Sequence, residues 1–291
     1  MEDFFTVIGG MGTPATNSYI RLLTARTPAH QDQDYLNYIL DNHATVPDRT
    51  SYILDHSQPS FYPALLADIK QQAALKPDFM VIICNTAHYF YRELAAAAGD
   101  IPLLHMPHVA VGTLAKRFPQ AKKIGLIATA GTMADHIYER EIEDAGYDVV
   151  LGNGPVQDQV TELIYRDIKE QNKVDATLYH TILREMIDEK GCDLVVLGCT
   201  ELSLAQEKAS DHEYPIIDPQ SIIVDESIRL ATAIRAGEPV DYTPLVKIND
   251  PLFYPIIEKF IDLKMIIHMH AHCQQYVYTY HTADMYKIII G

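Results

Sequence analysis

The chain has 291 residues, 48% of them hydrophobic and 21% charged, enough to bury a large core as one big domain or two smaller ones and too apolar for a disordered tail. Its 39 acidic against 23 basic side chains give a formal charge of -16, and no basic run offsets it, which argues against nucleic acid as a partner. The opening "MEDFFTVIGG" lacks the basic residues and cleavage site of a secretory signal, and no apolar stretch approaches the roughly 18 residues of a membrane span, so the expectation is a soluble, cytoplasmic protein without a membrane partner.

Taken in order, "FFTVIGG" is the first predicted strand, "ATNSYIRLLTAR" the first helix and "FYPALLADIKQQAALK" the second. The strand "DFMVIICN" then runs into "CNTAH" at Cys84 to His88, and a further strand, "PLLHM", precedes the helix "HVAVGTLAKRF". Next come the strand "KIGLIAT", the helix "TMADHIYEREIEDAG", the strand "DVVLG" and two helices, "QDQVTELIYRDIKEQ" and "ATLYHTILREMIDEKG". The strands "DLVVLGC" and "PIID" and the helix "SIIVDESIRLATAIRAG" complete the series. Short Val/Ile/Leu runs alternating with helical periodicity predict an α/β fold of parallel strands joined by crossover helices.

The two halves repeat one another. "TVIGGMGT" lies on "GLIATAGT" with a shift of 119 residues, "DFMVIICNT" on "DLVVLGCTE" with a shift of 115, and "PLLHM" on "PIIDP" with a shift of 113. Two pseudosymmetric lobes are expected, each a parallel sheet flanked by helices, with the site in the cleft between them. The boundaries read as 1–112 plus 220–237 for the first lobe, 113–219 for the second, and 238–291 for a C-terminal extension.

Cys84 and Cys199 are equivalent under this repeat, and ligands of open parallel sheets bind beyond the carboxyl ends of the strands. The plain alternative for each is a small buried hydrophobe. If each turn opens a helix, its N-terminal dipole lowers the thiol pKa, and two facing thiols, one a thiolate and one protonated, suit inversion at an α-carbon. Asn85, Thr86, Thr129, Thr132 and Thr200 supply small polar groups able to hold a carboxylate as charge develops, or else serve as ordinary caps. The four cysteines, Cys84, Cys192, Cys199 and Cys273, show no C-x-x-C spacing and read as reduced thiols.

In order and separation, "GGMGTPAT" at Gly9 to Thr16, "VPDRT" at Val46 to Thr50, "CNTAH", "ATAGT" at Ala128 to Thr132 and "GCTEL" at Gly198 to Leu202 resemble the aspartate/glutamate racemase family over roughly residues 4–237, and the aspartate racemase branch most. The resemblance implies a racemase that uses no pyridoxal phosphate and no other cofactor, commonly a homodimer, with Cys84 and Cys199 as the catalytic pair and a small amino acid as substrate. It implies that Met11 and Gly12 belong to the substrate site, that Arg49 grips the side-chain carboxylate, and that Lys169 in "IYRDIKEQN" assists on a looser motif. The plain alternative for Arg49 is a surface ion pair with Asp48. Asn85, Thr86, Thr129 and Thr200 would line the α-carboxylate site. The first turn departs from the family pattern at Thr13 and Pro14. Relatives of similar fold racemise other amino acids or hydantoins, isomerise maleate or decarboxylate malonates, which leaves broad specificity, a small dicarboxylate substrate, or a non-catalytic amino acid binder as other readings. His88, four residues after the first cysteine, is placed to face the thiol or to cap and fill the core.

After about Asp241 the chain leaves the family pattern. "MIIHMHAHC" carries His268, His270 and His272 at alternate positions, which on a strand point to one side and would suit a metal such as zinc. The plainer expectation is no metal, with an edge strand or dimerisation arm.

Overall fold

The run Phe4–Gly9 is apolar, β-branched and wholly buried, the mark of a strand covered on both faces of a parallel sheet, and it forms β1. The computed structural model describes residues 1–209 and 213–247. Helix α1 (Thr13–Arg26), with Pro14 in its first turn where the missing N–H costs nothing, leads to β2 (Asn37–Asn42). Helices α2 (Arg49–Leu54) and α3 (Tyr62–Ala73) follow, then β3 (Met80–Ile82). A 3-10 turn at Thr86–Phe90, α4 (Tyr91–Ala98), β4 (Leu103–Leu104), α5 (Met106–Gly112) and α6 (Leu114–Arg117) complete the first half.

The second half repeats the plan. β5 (Lys123–Ala128) is followed by α7 (Ala130–Asp135), α8 (Ile137–Asp144), β6 (Asp148–Leu151) and α9 (Pro155–Thr161), which continues as a π-helical stretch over Glu162–Glu170. Then come α10 (Ala176–Arg184), β7 (Leu194–Gly198), α11 (Thr200–Lys208), β8 (Ile216–Ile217) and α12 (Pro219–Arg235). Each half is a four-stranded parallel sheet, ordered β2-β1-β3-β4 and β6-β5-β7-β8. The three sequence matches therefore correspond to β1 with β5, β3 with β7 and β4 with β8.

Seven strands were expected and eight are present among the described residues. The extra one, β2, pairs with β1 from Phe4↔Asn37 to Gly9↔Asn42 but lies at the sheet edge with none of its residues fully buried, so its sequence "NYILDN" lacks a long apolar run. Short α2, α4 and α11 also escape periodicity, being barely two turns long. The expected helix "TMADHIYEREIEDAG" divides at His136, which takes the left-handed conformation at φ 57° and ends α7.

One apolar core runs through both halves, joining Phe5, Val7 and Val81 to Leu126 and Val196 through Ile223 and Leu230 of α12. α12 packs on α1 and α5 as well as on α11. A second core covers the other face of the second sheet, where Val195 and Leu197 meet Val160, Ile164 and Tyr179. Cys84, Cys192 and Cys199 are all unpaired thiols. Among the described residues no helix is long and apolar enough to cross a membrane, and no cluster of three His, Cys, Asp or Glu side chains forms a metal site. His268, His270 and His272 lie outside the described residues.

Candidate active site

In each sheet the chain passes from the first strand out to one edge and then crosses back to the third, so the switch in direction falls between β1 and β3 and between β5 and β7. Crevices open at the carboxyl ends of strands at such points. Those ends are Gly10-Met11, Cys84-Asn85, Thr129-Ala130 and Cys199-Thr200, and they converge. Met11, Cys84, Asn85, Thr86, Thr129, Cys199 and Thr200 line one pocket, with Arg49 and Lys169 completing it. The cavity they enclose is narrow, about 10 Å³, room for roughly one water. A roomier hollow of about 450 Å³ lies between α1 and α11, but it carries no thiol and its Arg21–Glu207 ion pair is already satisfied.

Two expected residues stand behind the wall rather than in it. Thr132 closes a ring of three hydroxyls, with Thr86 Oγ1 2.9 Å from Thr132 Oγ1 and 3.1 Å from Thr129 Oγ1, and Thr129 Oγ1 3.1 Å from Thr132 Oγ1. Each hydroxyl has one proton to give, so a ring of three bonds occupies all three donors and ties the first sheet's loop to the second's. Gly12 does not line the pocket either; a Cβ there would lie 2.9 Å from Glu201 Oε1, so its bare backbone lets the first turn approach that carboxylate.

Four lining residues were absent from the expected set: Asp48, Thr50, Tyr165 and Glu201. Each had a signal within the quoted motifs, Asp48 and Thr50 flanking Arg49, Tyr165 one helical turn before Lys169, and Glu201 two residues after Cys199. Glu201 is 2% exposed, and its Oε2 accepts from Cys199 Sγ at 2.9 Å and from Thr200 Oγ1 at 3.3 Å. Lys169 Nζ lies 3.8 Å from Glu201 Oε1 and 4.7 Å from the centre of the Tyr165 ring. Burial pulls the Lys169 ammonium down, but the charges of Glu201 and Cys199 outweigh it and leave it above the ordinary lysine value. Burial pushes the Tyr165 phenol up to about 12.

Arg49 is buried, which removes the surface ion pair as its role; Asp48 instead caps α2 by accepting from Ser51 N–H at 2.8 Å. Its guanidinium donates to the carbonyls of Met11 at 2.8 Å, Pro47 at 3.0 Å and Val46 at 3.2 Å. Nε is buried with no hydrogen-bond partner among the described residues, as is the Asn85 amide nitrogen, while Asn85 Oδ1 accepts from Tyr138 OH. Burial opposes the arginine's charge, but Cys84, Asp48 and Glu201 hold it above its usual value. The pocket thus presents two unspent donors, Arg49 Nε and Asn85 Nδ2, and one unspent acceptor, Glu201 Oε1.

One expectation is corrected, and one open alternative is decided. A helix does begin after Cys199, but its dipole does not leave that thiol acidic: burial, and then the Glu201 charge, push it well above the ordinary cysteine value, with Lys169 only partly opposing. Of the two places expected for His88, the structure shows the buried core one rather than one facing the Cys84 sulfur. Its Nδ1 meets the Cys84 carbonyl oxygen at 2.9 Å, while Nε2 accepts the Met106 N–H at 3.2 Å.

Residues 8–227 match the family model described as Asp/Glu/Hydantoin racemase. The broad specificity amino-acid racemase of Bacillus subtilis strain 168 is 25% identical over 237 residues, covering 79% of this chain and 99% of that one. The solved Picrophilus torridus aspartate racemase superposes with a TM-score of 0.64 at 26% identity, covering 83% of this chain and 97% of that one. An aspartate racemase homologue from Pyrococcus horikoshii shares the fold at a TM-score of 0.62 and 19% identity, over 79% of this chain and 99% of its own.

Proposed function

The chain belongs to the Asp/Glu/hydantoin racemase family, and from that premise we propose that it interconverts L- and D-aspartate, or a closely related acidic amino acid, without a cofactor, using Cys84 and Cys199 as base and acid on opposite faces of the α-carbon. The observation that carries this reading is the convergence of both thiols, from equivalent strand ends, on one narrow pocket. One thiolate removes the α-proton, the electron pair stays on carbon, and the opposite thiol returns a proton to the other face. Arg49 Nε and Asn85 Nδ2 are matched to carboxylate oxygens, and Glu201 Oε1 to an ammonium group, which together describe an amino acid. The cytoplasm remains the expected compartment, and a homodimer the expected assembly.

The test is α-proton exchange. Either enantiomer of aspartate incubated in D₂O with the full chain should lose its α-hydrogen, and Cys84→Ala or Cys199→Ala should lower racemisation by at least about 10³-fold. Normal turnover by both single variants would sink the scheme; binding without exchange would make the protein a carrier.

A second reading, broad amino acid specificity, is favoured by the commitment of three Arg49 hydrogen bonds to main-chain carbonyls, which leaves less of the fork for a second carboxylate. Arg49→Ala separates the two, since activity lost on aspartate but retained on a neutral amino acid supports the broader range.

A further inference from the structure

We propose that the two thiols are unequal before substrate arrives: Glu201 keeps the proton on Cys199 and so acts as a positioning residue that leaves Cys84 to begin as base. This deepens the reading of the pocket as a proton-transfer site and rests on it.

The paired site is not symmetric in charge. The repeat makes Cys84 and Cys199 equivalent in place, but their neighbours are opposite in charge. Cys84 shares the pocket with the Arg49 guanidinium. Against Cys199 lies the Glu201 carboxylate, with its Oε2 2.9 Å from the sulfur. An ionised carboxylate can only accept, so at that distance the proton sits on sulfur. The same oxygen already accepts from Thr200, and Oε1 lies 3.8 Å from the Lys169 ammonium. The other titratable groups whose charge reaches Cys199 are Lys169, Tyr165 and Tyr138, and of these only Lys169 is a cation. Burial and Glu201 raise Cys199 above the ordinary thiol value, in the same sense as the geometry.

With the Cys199 proton held by Glu201, the first base falls to Cys84. The enantiomer whose α-hydrogen faces Cys84 reacts directly: the C–H bond breaks as the Cys84 S–H bond forms, and the Cys199 proton passes to the opposite face of the carbon. This leaves a thiolate beside Glu201, and the resting form returns when Cys84 releases its proton to water and Cys199 takes one up.

Site-resolved alkylation tests this without substrate. The full chain is treated with iodoacetamide across a pH series and each cysteine-containing peptide is quantified by mass spectrometry. Accessibility does not decide the order, because the residues are 5% and 4% exposed. Near neutral pH Cys84 should react at least about tenfold faster than Cys199. Glu201→Gln should lower the pH at which Cys199 begins to react by about one unit or more while leaving the Cys84 curve in place. In D₂O, Cys84→Ala should exchange neither enantiomer at neutral pH, and Cys84→Ala/Glu201→Gln should regain exchange of one. Equal reactivity of the wild-type thiols, or a Cys199 curve that Glu201→Gln leaves unmoved or raises, overturns the proposal. Failure of wild-type α-proton exchange would instead overturn the racemase reading, and the alkylation order would still stand on its own.

Discussion

His88 has both ring nitrogens committed, and because Nε2 accepts a main-chain N–H, its proton resides on Nδ1. Burial lowers its pKa to about 4, and the adjacent His105 is also pulled well down by burial. With an unfolded value near 6.5, the neutral ring contributes stability that is complete above that pH and is lost as pH falls toward 4, by about 3 kcal/mol for His88 alone. Urea unfolding at pH 7 and at pH 4.5 should show the loss, and His88→Gln should flatten it. Asn85 offers a second residue-scale test. Tyr138 OH is the donor that satisfies its amide oxygen, so Tyr138→Phe should destabilise the protein by about 1–3 kcal/mol in the same measurement, by leaving a buried acceptor unpaired. These side chains were named or passed over by type in the sequence; which nitrogen or oxygen was left free is a property of their surroundings.

At the scale of elements, the site depends on how closely α2 and α7 approach. Gly131, the second residue of α7, lies so near α2 that a Cβ would stand 2.8 Å from the Thr50 Cα. That atom belongs to the main chain and cannot rotate away. Gly131→Ala should therefore push apart the helix opened by Arg49 and the helix capped by Thr129, lowering aspartate turnover by about 10²-fold while costing only about 1–3 kcal/mol in unfolding. The π-helical stretch does comparable work on the other wall, since Tyr165 and Lys169 both reach the pocket from it. Wide turns of this kind occur often at functional sites. The apolar pattern of "QDQVTELIYRDIKEQ" revealed a helix there, but not its wider winding, because hydrophobic spacing does not separate the two forms over so short a stretch.

For the whole molecule, the pocket is narrow, and entry of an amino acid is expected to part the two halves. The ties across the gap are the ring formed by Thr86 with Thr129 and Thr132, the Tyr138–Asn85 hydrogen bond, and α2 against α7. Breaking the ring also frees the hydroxyl donors for a carboxylate. Aspartate should then slow amide hydrogen exchange in α2, α7 and the Thr86–Phe90 turn relative to the free protein, as measured by mass spectrometry. Unchanged exchange in all three at saturating aspartate would show that closure does not accompany binding.

The sequence by itself determined the two parallel sheets and the cysteines at equivalent strand ends, because buried parallel strands must be continuous apolar runs and a duplicated run repeats its ending. It also gave the motifs that carry Arg49, Lys169 and the threonines. Only the tertiary structure decided that Thr132 and Gly12 stand behind the wall, that His88 holds a carbonyl rather than a thiol, and that burial, and then the Glu201 carboxylate, raise the Cys199 thiol. The reason is physical: strand burial is a local pattern along the chain, whereas a proton's position depends on charges and donors brought within a few ångströms by separate loops.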